Sequence, residues 1–242
     1  MTVSGAPASK TSRLVAPDEP VRLIDRARFV SRGGDKLAAA LHEFAVEVDG
    51  RRTLDAGAST GGFTDCLLQH GARQVVAVDV GHGQLHPRLR ADQRVVVFER
   101  MNIRSVTTDI LGGAFDLVVA DLSFISLRTV ADALLAVCRP GADLVWLVKP
   151  QFEAGRVEVA RGRGVVKDPA VRSRVKQEID ELLATSGASV RGWMDCPLAG
   201  PAGNVELLVH AVAPMREGSN LGPGSHPHPR VTTQTKFAGG WS

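Results

Sequence analysis

The stretch "LDAGASTGGFTD" at residues 54–65 joins the end of an apolar run to a segment with helical spacing. Asp55 closes the apolar run, and Gly57 lets the backbone turn sharply after it. Gly61 and Gly62 leave room for a ligand at the start of the following helix. A strand, a glycine turn and a helix in this order predict a ligand site at the carboxyl end of a strand in an α/β sheet.

The same alternation of strands and helices continues along the chain. Helical spacing is clear in "DKLAAALHEFAV", where Leu37, Leu41 and Phe44 follow steps of four and three residues. Helices that alternate with nearly all-apolar strands indicate a parallel sheet covered on both faces. We therefore predict a doubly wound α/β domain over residues 30–214, with a mostly parallel seven-stranded sheet and an antiparallel edge formed by the last two strands. The expected strands are "RTLDAG", "QVVAVDV", "RVVVFER", "FDLVVADL", "ADLVWLVKP", "SVRGWMDCPL" and "VELLVHAVA".

Glycine marks the expected ends of two helices. The segment "TGGFTDCLLQHG" closes with Gly71, which is a common helix stop. The segment "LRTVADALLAVCRPG" closes with Arg139, Pro140 and Gly141, so we expect its helix to end there.

The composition indicates one large globular domain, because 242 residues with 44% hydrophobic content can bury a substantial core. No apolar run approaches the roughly 18 residues of a membrane span, and the first residues lack the apolar core of a signal peptide. A soluble cytoplasmic protein is therefore expected. Cys66, Cys138 and Cys196 are far apart and odd in number, which favours core thiols over disulfides or zinc. His226 and His228 have no third ligand nearby, so no metal is expected.

Positive charge is concentrated in two segments, although the net charge is only +3. Residues 154–176 hold seven Lys or Arg against two acidic residues, and residues 1–36 hold seven against four. Basic segments on a neutral-to-acidic body suit a polyanion partner, since Lys and Arg contacts to phosphates supply most sequence-independent affinity for nucleic acid. Alternatively, the two basic segments could be a loop and a helix face that are exposed to solvent and bind no polyanion. Residues 215–242 are rich in Gly, Pro, Ser and Thr without periodicity, and we expect them to be disordered.

The glycine turn favours S-adenosylmethionine over a dinucleotide as the ligand. "GAS" breaks the G-x-G-x-x-G pattern at its second glycine, which a dinucleotide loop needs for close approach of the pyrophosphate. An acid before the turn, Asp55, can instead engage the amino acid part of the cofactor. Asp79 ends the second strand and can accept both ribose hydroxyls, although that acid alone would also fit NAD. Asn102 follows the third strand and can contact the adenine or form a turn.

Six motifs in order resemble those of the TlyA family, also called haemolysin A, whose members are ribosomal RNA 2'-O-methyltransferases related to the FtsJ type. The resemblance covers residues 21–214. It implies a class I, Rossmann-like methyltransferase fold and transfer of methyl from S-adenosylmethionine to a cytidine 2'-hydroxyl in small-subunit and often large-subunit rRNA. The motifs are "FVSRGGDKL", "LDAGASTGGFTD", "VDVGHGQL", "VVADLSFISL", "LVKPQFE" and "GPAGNVE".

The resemblance implies a catalytic Lys-Asp-Lys-Glu tetrad at Lys36, Asp121, Lys149 and Glu206. A ribose hydroxyl is a poor nucleophile near neutral pH and needs a base within hydrogen-bond reach. We expect Lys149 to be that base, which requires burial or a second cation to depress its pKa. Asp121 and Glu206 would orient and balance the two ammonium groups, and Lys36 would hold the hydroxyl or a phosphate. "DLSF" also lacks the paired prolines typical of enzymes that methylate base amino groups.

The remaining site predictions fall into two sets. Phe124 and Phe152 flank the expected pocket and could stack on an extruded base, or pack in the core. The expected cofactor-binding residues are Asp55, Gly57, Ala58, Ser59, Gly61, Gly62, Phe63, Asp79, Val80, Asn102 and Asp121. The expected RNA-binding residues are Arg32, Arg156, Arg161, Arg163 and Lys167.

The amino-terminal segment departs from the family pattern. Family members usually carry an S4 RNA-binding domain there, whereas only "SRLVAPDEPVRLI" resembles the end of one. We therefore expect residues 1–29 to be a remnant of that domain and its linker, with Phe29 where the family often has Trp. Translation could begin upstream, or the domain could be lost. Two other functions stay open: a methyltransferase-like RNA-binding protein without activity on rRNA, and a membrane-active haemolysin.

Overall fold

The computed structural model describes residues 2–4, 6–7, 14–22, 27–155, 162, 164–200 and 202–215. The predicted RNA-binding residues Arg156, Arg161 and Arg163 lie outside these ranges, as does nearly all of the tail predicted to be disordered. Near the amino terminus, β1 (Thr2–Val3), β2 (Ala6–Pro7) and β3 (Val21–Arg22) form a small antiparallel sheet in the order β2-β1-β3.

A seven-stranded sheet forms the centre of the molecule, in the order β6-β5-β4-β7-β8-β10-β9. All seven predicted strands are confirmed. The first five pair in parallel, and β10 lies between β8 and β9 and runs antiparallel to both, so the antiparallel pairing is at the predicted end of the sheet. The strands are β4 (Arg52–Ala56), β5 (Gln74–Val78), β6 (Val95–Phe98), β7 (Phe115–Ala120), β8 (Cys138–Val148), β9 (Ser189–Asp195) and β10 (Leu207–Val212).

Helices cover both faces of this sheet. Thr107 and Asp168 precede two of them, and each side chain accepts a hydrogen bond from a backbone N–H of the first turn, which satisfies a donor that has no partner within the helix. The helices are α1 (Gly33–Glu43), α2 (Gly62–Gln69), α3 (Pro87–Arg90), α4 (Thr108–Leu111), α5 (Ala131–Ala136), α6 (Pro150–Glu153) and α7 (Pro169–Thr185), with 3-10 turns at Ile103–Ser105 and Leu127–Thr129.

Two apolar cores hold the strand ends in position. Successive strand residues point to opposite faces, so Val75 and Ala77 of β5 join the core under α1 and α2, while Val76 and Val78 join the core under α5 and α7. Fully burying a Val or Leu side chain stabilises the fold by about 1.5–3 kcal/mol, more than an exposed ion pair contributes. Burial of the strands, and not surface charge, therefore fixes where each strand ends.

The helix predicted to end at Arg139, Pro140 and Gly141 stops earlier. α5 ends at Ala136, and the three residues lie inside β8. Opposite them the register shifts, because Phe115 of β7 pairs with Cys138 whereas Leu117 pairs with Asp143. Gly141 has φ +73°, and a proline has no N–H to donate to the ladder. The proline and glycine therefore form a bulge at the start of a strand, a role that helix-stop rules do not distinguish.

Candidate active site

Charged side chains meet at one edge of the sheet because the carboxyl ends of parallel strands lie there. Asp79, Asp121 and Lys149 directly follow the last residues of β5, β7 and β8. The antiparallel β10 begins at the same edge, since its first residue, Leu207, pairs with Val148 at the end of β8. The residue before β10 is Glu206. The structure thus brings three of the four predicted catalytic residues to one edge, and α1 supplies the fourth.

The four predicted catalytic residues form two ion pairs. Lys36 Nζ, in the first turn of α1, lies 2.5 Å from Glu206 Oε2, and their side chains are only 9% and 1% exposed. Lys149 Nζ lies 2.6 Å from Asp121 Oδ1, and it donates a hydrogen bond to Ser123 Oγ at 2.9 Å. The contact with Asp121 is an ion pair without hydrogen-bond geometry. Each lysine therefore has its own carboxylate partner.

A cavity of about 480 Å³, here called the lysine cavity, opens above these pairs. Lys36, Asp121 and Lys149 line it, whereas Glu206 lies beneath Lys36 and is not among the lining residues. Arg32 also lines the cavity, and its exposed guanidinium donates to the Ala199 carbonyl at 2.8 Å. The predicted residues Gly57, Ala58, Ser59, Gly62 and Phe63 complete that wall of the cavity.

A second cavity of about 440 Å³, here called the Asp79 cavity, lies beside the first. Asp79, Val80 and Asn102 line it, and Val80 is 75% exposed. The two cavities share four lining residues: Gly57, Ser59, Asp121 and Ser123. An elongated ligand could therefore extend from the Asp79 cavity to the two lysines.

The backbone around Asp79 holds its carboxylate in place. The N–H of Ser59 donates to Oδ2 at 2.7 Å, and the N–H of Gly81 donates to Oδ1 at 2.6 Å. Ser59 adopts φ +48°, a left-handed conformation that is uncommon outside glycine. Asn102 Oδ1 accepts the N–H of Arg104 and so caps a 3-10 turn, which is the turn-forming role left open by the sequence. That cap uses the oxygen of Asn102, and the residue still lines the Asp79 cavity.

Gly57 permits close approach of two strand ends. Its φ is +86°, and a Cβ there would lie 2.5 Å from the carbonyl oxygen of Asp121. The N–H of Asp121 in turn donates to Ala56 at 3.0 Å. A side chain at position 57 would therefore displace Asp121.

Gly61 and Gly62 serve packing more directly than ligand binding. A Cβ on Gly62 would lie 2.3 Å from Ser31 Oγ and 2.8 Å from the backbone nitrogen of Gly34, so this glycine lets α1 and α2 approach each other. Gly61 has φ +97°, and a Cβ there would meet Leu89 at 2.3 Å. Of these two glycines, Gly62 also lines the lysine cavity.

Asp55 lies fully buried below the glycine turn. Its Oδ2 accepts the hydroxyl of Thr64 at 2.6 Å, whereas its Oδ1 has no hydrogen-bond partner within the part of the chain that the structure describes. Burial raises the pKa of Asp55 to about 7; the nearby charges of Asp121 and Asp79 act in the same direction, against the Thr64 hydrogen bond. Asp55 lines neither of the two cavities, so it could receive a cation only if the glycine turn above it moves.

Ser123 was missed by sequence reasoning. It touches Lys149 and lines both cavities, so it stands where the two cavities meet. The available signal was its place in "DLSF", two residues after the strand-ending Asp121.

The two aromatic candidates lie at the mouth of the site. Phe124 is 91% exposed and adopts φ +64°, and its ring centroid lies 5.3 Å from that of Phe152. Lys149 Nζ lies 5.9 Å from the centroid of the Phe152 ring. The alternative prediction that Phe124 packs in the core is therefore wrong. Lys167, by contrast, is exposed but lines neither cavity.

The three cysteines are free and buried. Among the described residues, no group of three or more His, Cys, Asp or Glu side chains could hold a metal ion. In the same part of the chain, no helix is both long enough and apolar enough to span a membrane.

The sheet order, with one antiparallel strand inserted next to the edge, and the acids at the ends of β4 and β5 define a class I S-adenosylmethionine-dependent methyltransferase fold. The N-methyltransferase NodS from Bradyrhizobium japonicum, in complex with S-adenosyl-L-homocysteine, shares this fold with a TM-score of 0.52 at 19% identity, over 82% of this chain and 94% of that one. Residues 29–212 match the FtsJ-like methyltransferase family, and the chain belongs to that family.

Several relatives cover most of the chain. The 16S/23S rRNA (cytidine-2'-O)-methyltransferase TlyA of Mycobacterium tuberculosis is 51% identical over 86% of this chain and 78% of its own length. Hemolysin A of Brachyspira hyodysenteriae is 35% identical over 87% of this chain and 88% of its own length. The crystal structure of a proposed hemolysin from Lactococcus lactis superposes with a TM-score of 0.75 at 43% identity, over 78% of this chain and 90% of that one.

Proposed function

We propose that this methyltransferase transfers a methyl group from S-adenosylmethionine to the ribose 2'-hydroxyl of a cytidine in ribosomal RNA, with residues 30–214 as the catalytic domain. This proposal rests on the two lysine–carboxylate contacts, Lys36 with Glu206 and Lys149 with Asp121, beside a cavity that shares four lining residues with the Asp79 cavity. The TlyA relative named as an rRNA (cytidine-2'-O)-methyltransferase supports the choice of acceptor.

The residues around the Asp79 cavity fit S-adenosylmethionine, which supplies an electrophilic methyl group when bound. The Asp79 carboxylate keeps acceptor capacity for ribose hydroxyls, since each oxygen receives one backbone N–H. Asn102 and the exposed Val80 would contact the adenine. Asp55 is buried below, with one oxygen lacking a partner within the described residues, and would engage the cationic amino acid part of the cofactor.

Lys149 would accept the proton of the 2'-hydroxyl after its own ammonium, which pairs with Asp121, has released a proton to solvent. A ribose hydroxyl needs a base within hydrogen-bond reach, and the Lys149 amine lines the lysine cavity and touches Ser123, which lines both cavities. Asp121 would balance the ammonium that forms, and Ser123 would keep the amine directed into the cavity. Holding the hydroxyl in line with the methyl group contributes to rate beyond proton removal.

Lys36 would hold the acceptor and not remove its proton. Its ammonium is fixed by Glu206, a carboxylate that is almost fully buried, and it faces the lysine cavity. A fixed cation there can bind the hydroxyl oxygen or the adjacent phosphate. Arg32 lies on the same wall and adds a second phosphate contact, and the exposed ring of Phe124 would stack on an extruded base.

A labelling assay tests this function directly. The protein is incubated with tritiated S-adenosylmethionine and separated ribosomal subunits, and the label is mapped to the nucleotide. We expect label on a cytidine ribose. Label on a base would contradict the proposed acceptor, and no transfer despite cofactor binding would support the alternative of an inactive methyltransferase-like protein.

A further inference from the structure

Glu153 is a buried carboxylate to which the proposed chemistry assigns no role. It is the last residue of α6, four positions after Lys149, and its side chain is 2% exposed. Burial raises the pKa of its carboxyl, against two hydrogen bonds that favour the charged form. Burying a polar group without partners costs about 2–7 kcal/mol, so a carboxylate in this position requires the contacts that it makes.

Both oxygens of Glu153 bind the loop that carries Asp121. Oε2 accepts the hydroxyl of Ser126 at 2.5 Å, and Oε1 accepts the backbone N–H of Leu127 at 2.8 Å. The backbone carbonyl of Glu153 also accepts a hydrogen bond at 2.5 Å from the guanidinium of Arg128, one residue further along. The last residue of the loop and the first two residues of the following 3-10 turn are thus bound to one glutamate.

The loop itself has no regular structure to hold it. Residues 121–126 lie between β7 and a 3-10 turn, and Phe124 within them adopts φ +64°. At its start, the N–H of Asp121 donates to Ala56 at 3.0 Å, and at its end Glu153 provides the anchor. A loop with an unfavourable backbone angle keeps one conformation only when its surroundings hold it at both ends.

We propose that Glu153 is a positioning residue that fixes the 121–126 loop against the segment of Lys149, and thereby sets the contacts of Lys149 with Asp121 and Ser123. Glu153 lies on the short helix that directly follows Lys149. Because Glu153 also binds the loop that carries Asp121 and Ser123, Lys149 and its two partners move together. The role for catalysis rests on the proposed function. The contacts of Glu153 with Ser126, Leu127 and Arg128, here called the clamp, are a property of the fold and can be measured without any methyl transfer.

The test compares Glu153→Ala and Glu153→Gln with Glu178→Ala as the control. Alanine removes both acceptors, whereas the glutamine amide can accept the N–H of Leu127 and donate to Ser126. Glu178 binds the same Arg128 at 2.9 Å but does not bind residues 121–127 among its described contacts. Ser126→Ala removes one of the two bonds and serves as a milder variant if Glu153→Ala does not fold.

Amide hydrogen exchange in the ligand-free and cofactor-bound protein reports the clamp. We expect faster exchange at Leu127 and across residues 121–127 in Glu153→Ala, an intermediate effect in Ser126→Ala, and protection near wild type in Glu153→Gln and Glu178→Ala. Unchanged exchange in both Glu153→Ala and Ser126→Ala would overturn the proposal. If the wild-type protein fails to methylate rRNA, this measurement still decides the clamp, so the two failures are distinguishable.

Steady-state kinetics then separate positioning from folding. We expect Glu153→Ala to lower kcat by about 10- to 100-fold, because a displacement of about 1 Å at a catalytic group can cost this much. The KM for the cofactor and for RNA should rise by a smaller factor than kcat falls, because residues 122–125 of the loop line the Asp79 cavity but Glu153 does not. Rescue of kcat by Glu153→Gln supports the assignment. A loss of rate that only follows the folded fraction of each variant would refute it.

Discussion

Lys36 Nζ lies 2.5 Å from Glu206 Oε2, although the two residues are 170 positions apart in the chain. Lys36 belongs to the first turn of α1, and Glu206 directly precedes β10. The contact therefore ties the first helix of the methyltransferase domain to the one antiparallel strand of the large sheet. It also holds an ammonium group at the lysine cavity with little freedom to move.

Breaking this pair should reduce stability as well as activity. Removing one partner of a buried ion pair leaves an uncompensated charge and typically costs about 3–5 kcal/mol. We expect Glu206→Ala to lose about that much in the free energy of unfolding measured with guanidinium chloride. The double variant Lys36→Met/Glu206→Leu should recover most of the stability and remain inactive.

The matched control for this pair is Arg139→Ala. Arg139 pairs with Asp116 at 2.6 Å, but its side chain is 52% exposed, and an exposed pair contributes at most about 1 kcal/mol. Full methyl transfer by the double variant Lys36→Met/Glu206→Leu would contradict a role for Lys36 in holding the acceptor.

Lys149→Ala should abolish methyl transfer and spare the cofactor. Removing a general base typically lowers kcat by about 10²- to 10⁴-fold. The Asp79 cavity does not include Lys149 among its lining residues, so the Kd for S-adenosyl-L-homocysteine from calorimetry should stay within about threefold of wild type. Retained transfer in this variant would eliminate Lys149 as the base.

Cofactor affinity should depend on pH through Asp55. Because burial raises the pKa of Asp55 from 3.8 to about 7, its carboxyl is mostly protonated below that pH in the ligand-free protein. The ammonium group in the amino acid part of the cofactor pairs with the ionised form, so affinity should be full above about pH 7 and should fall as pH falls through it, by up to about tenfold per unit. Calorimetry with S-adenosyl-L-homocysteine between about pH 5.5 and 7.5 measures this.

Asp55→Asn provides the control for this pH dependence. The amide does not titrate in this range, so its binding should be weaker and nearly independent of pH. An equal slope in the wild type and in this variant would assign the effect to another group.

Gly57→Ala should disturb both cavities at once. The substitution places a Cβ at φ +86° and 2.5 Å from the Asp121 carbonyl oxygen, so strain and a backbone clash combine. We expect loss of cofactor binding and a thermal midpoint lower than that of Gly50→Ala. Gly50 has φ +69° with nothing within 4 Å of an added Cβ, so its variant reports backbone strain alone. Equal effects of the two variants would rule out the clash.

Phe124→Ala should weaken mainly the RNA step. The side chain is 91% exposed and buries little area on folding, so the thermal midpoint should stay close to wild type. Stacking of a base on an aromatic ring contributes about 1–3 kcal/mol, which predicts a loss in kcat/KM for RNA of roughly 5- to 150-fold. Cofactor affinity should fall by a smaller factor than kcat/KM for RNA, although Phe124 also lines the Asp79 cavity. Phe124→Trp keeps a ring and should retain most of the rate.

Local patterns in the sequence were sufficient for the strands and for the residues at their ends. Apolar runs and glycine turns act over a few positions, so they located Asp55, Asp79, Asp121 and Lys149 at strand ends without knowledge of neighbours. Local rules were insufficient at Pro140 and Gly141, because a helix stop and a strand bulge use the same residue types. Local rules were also insufficient at Gly62, because this glycine is needed for the close approach of α1, which local patterns do not report.

The chain by itself therefore determined the class of fold and the order of the motifs, and the resemblance to the TlyA family added the four charged residues predicted for the site. Only the tertiary structure decided that Lys36 pairs with Glu206 and Lys149 with Asp121, and that Ser123 and Glu153 complete the arrangement around Lys149. Periodicity reports which face of an element is buried, but it carries no information on which elements become neighbours. That choice follows from β10 entering the sheet between β8 and β9, which requires the whole core to pack.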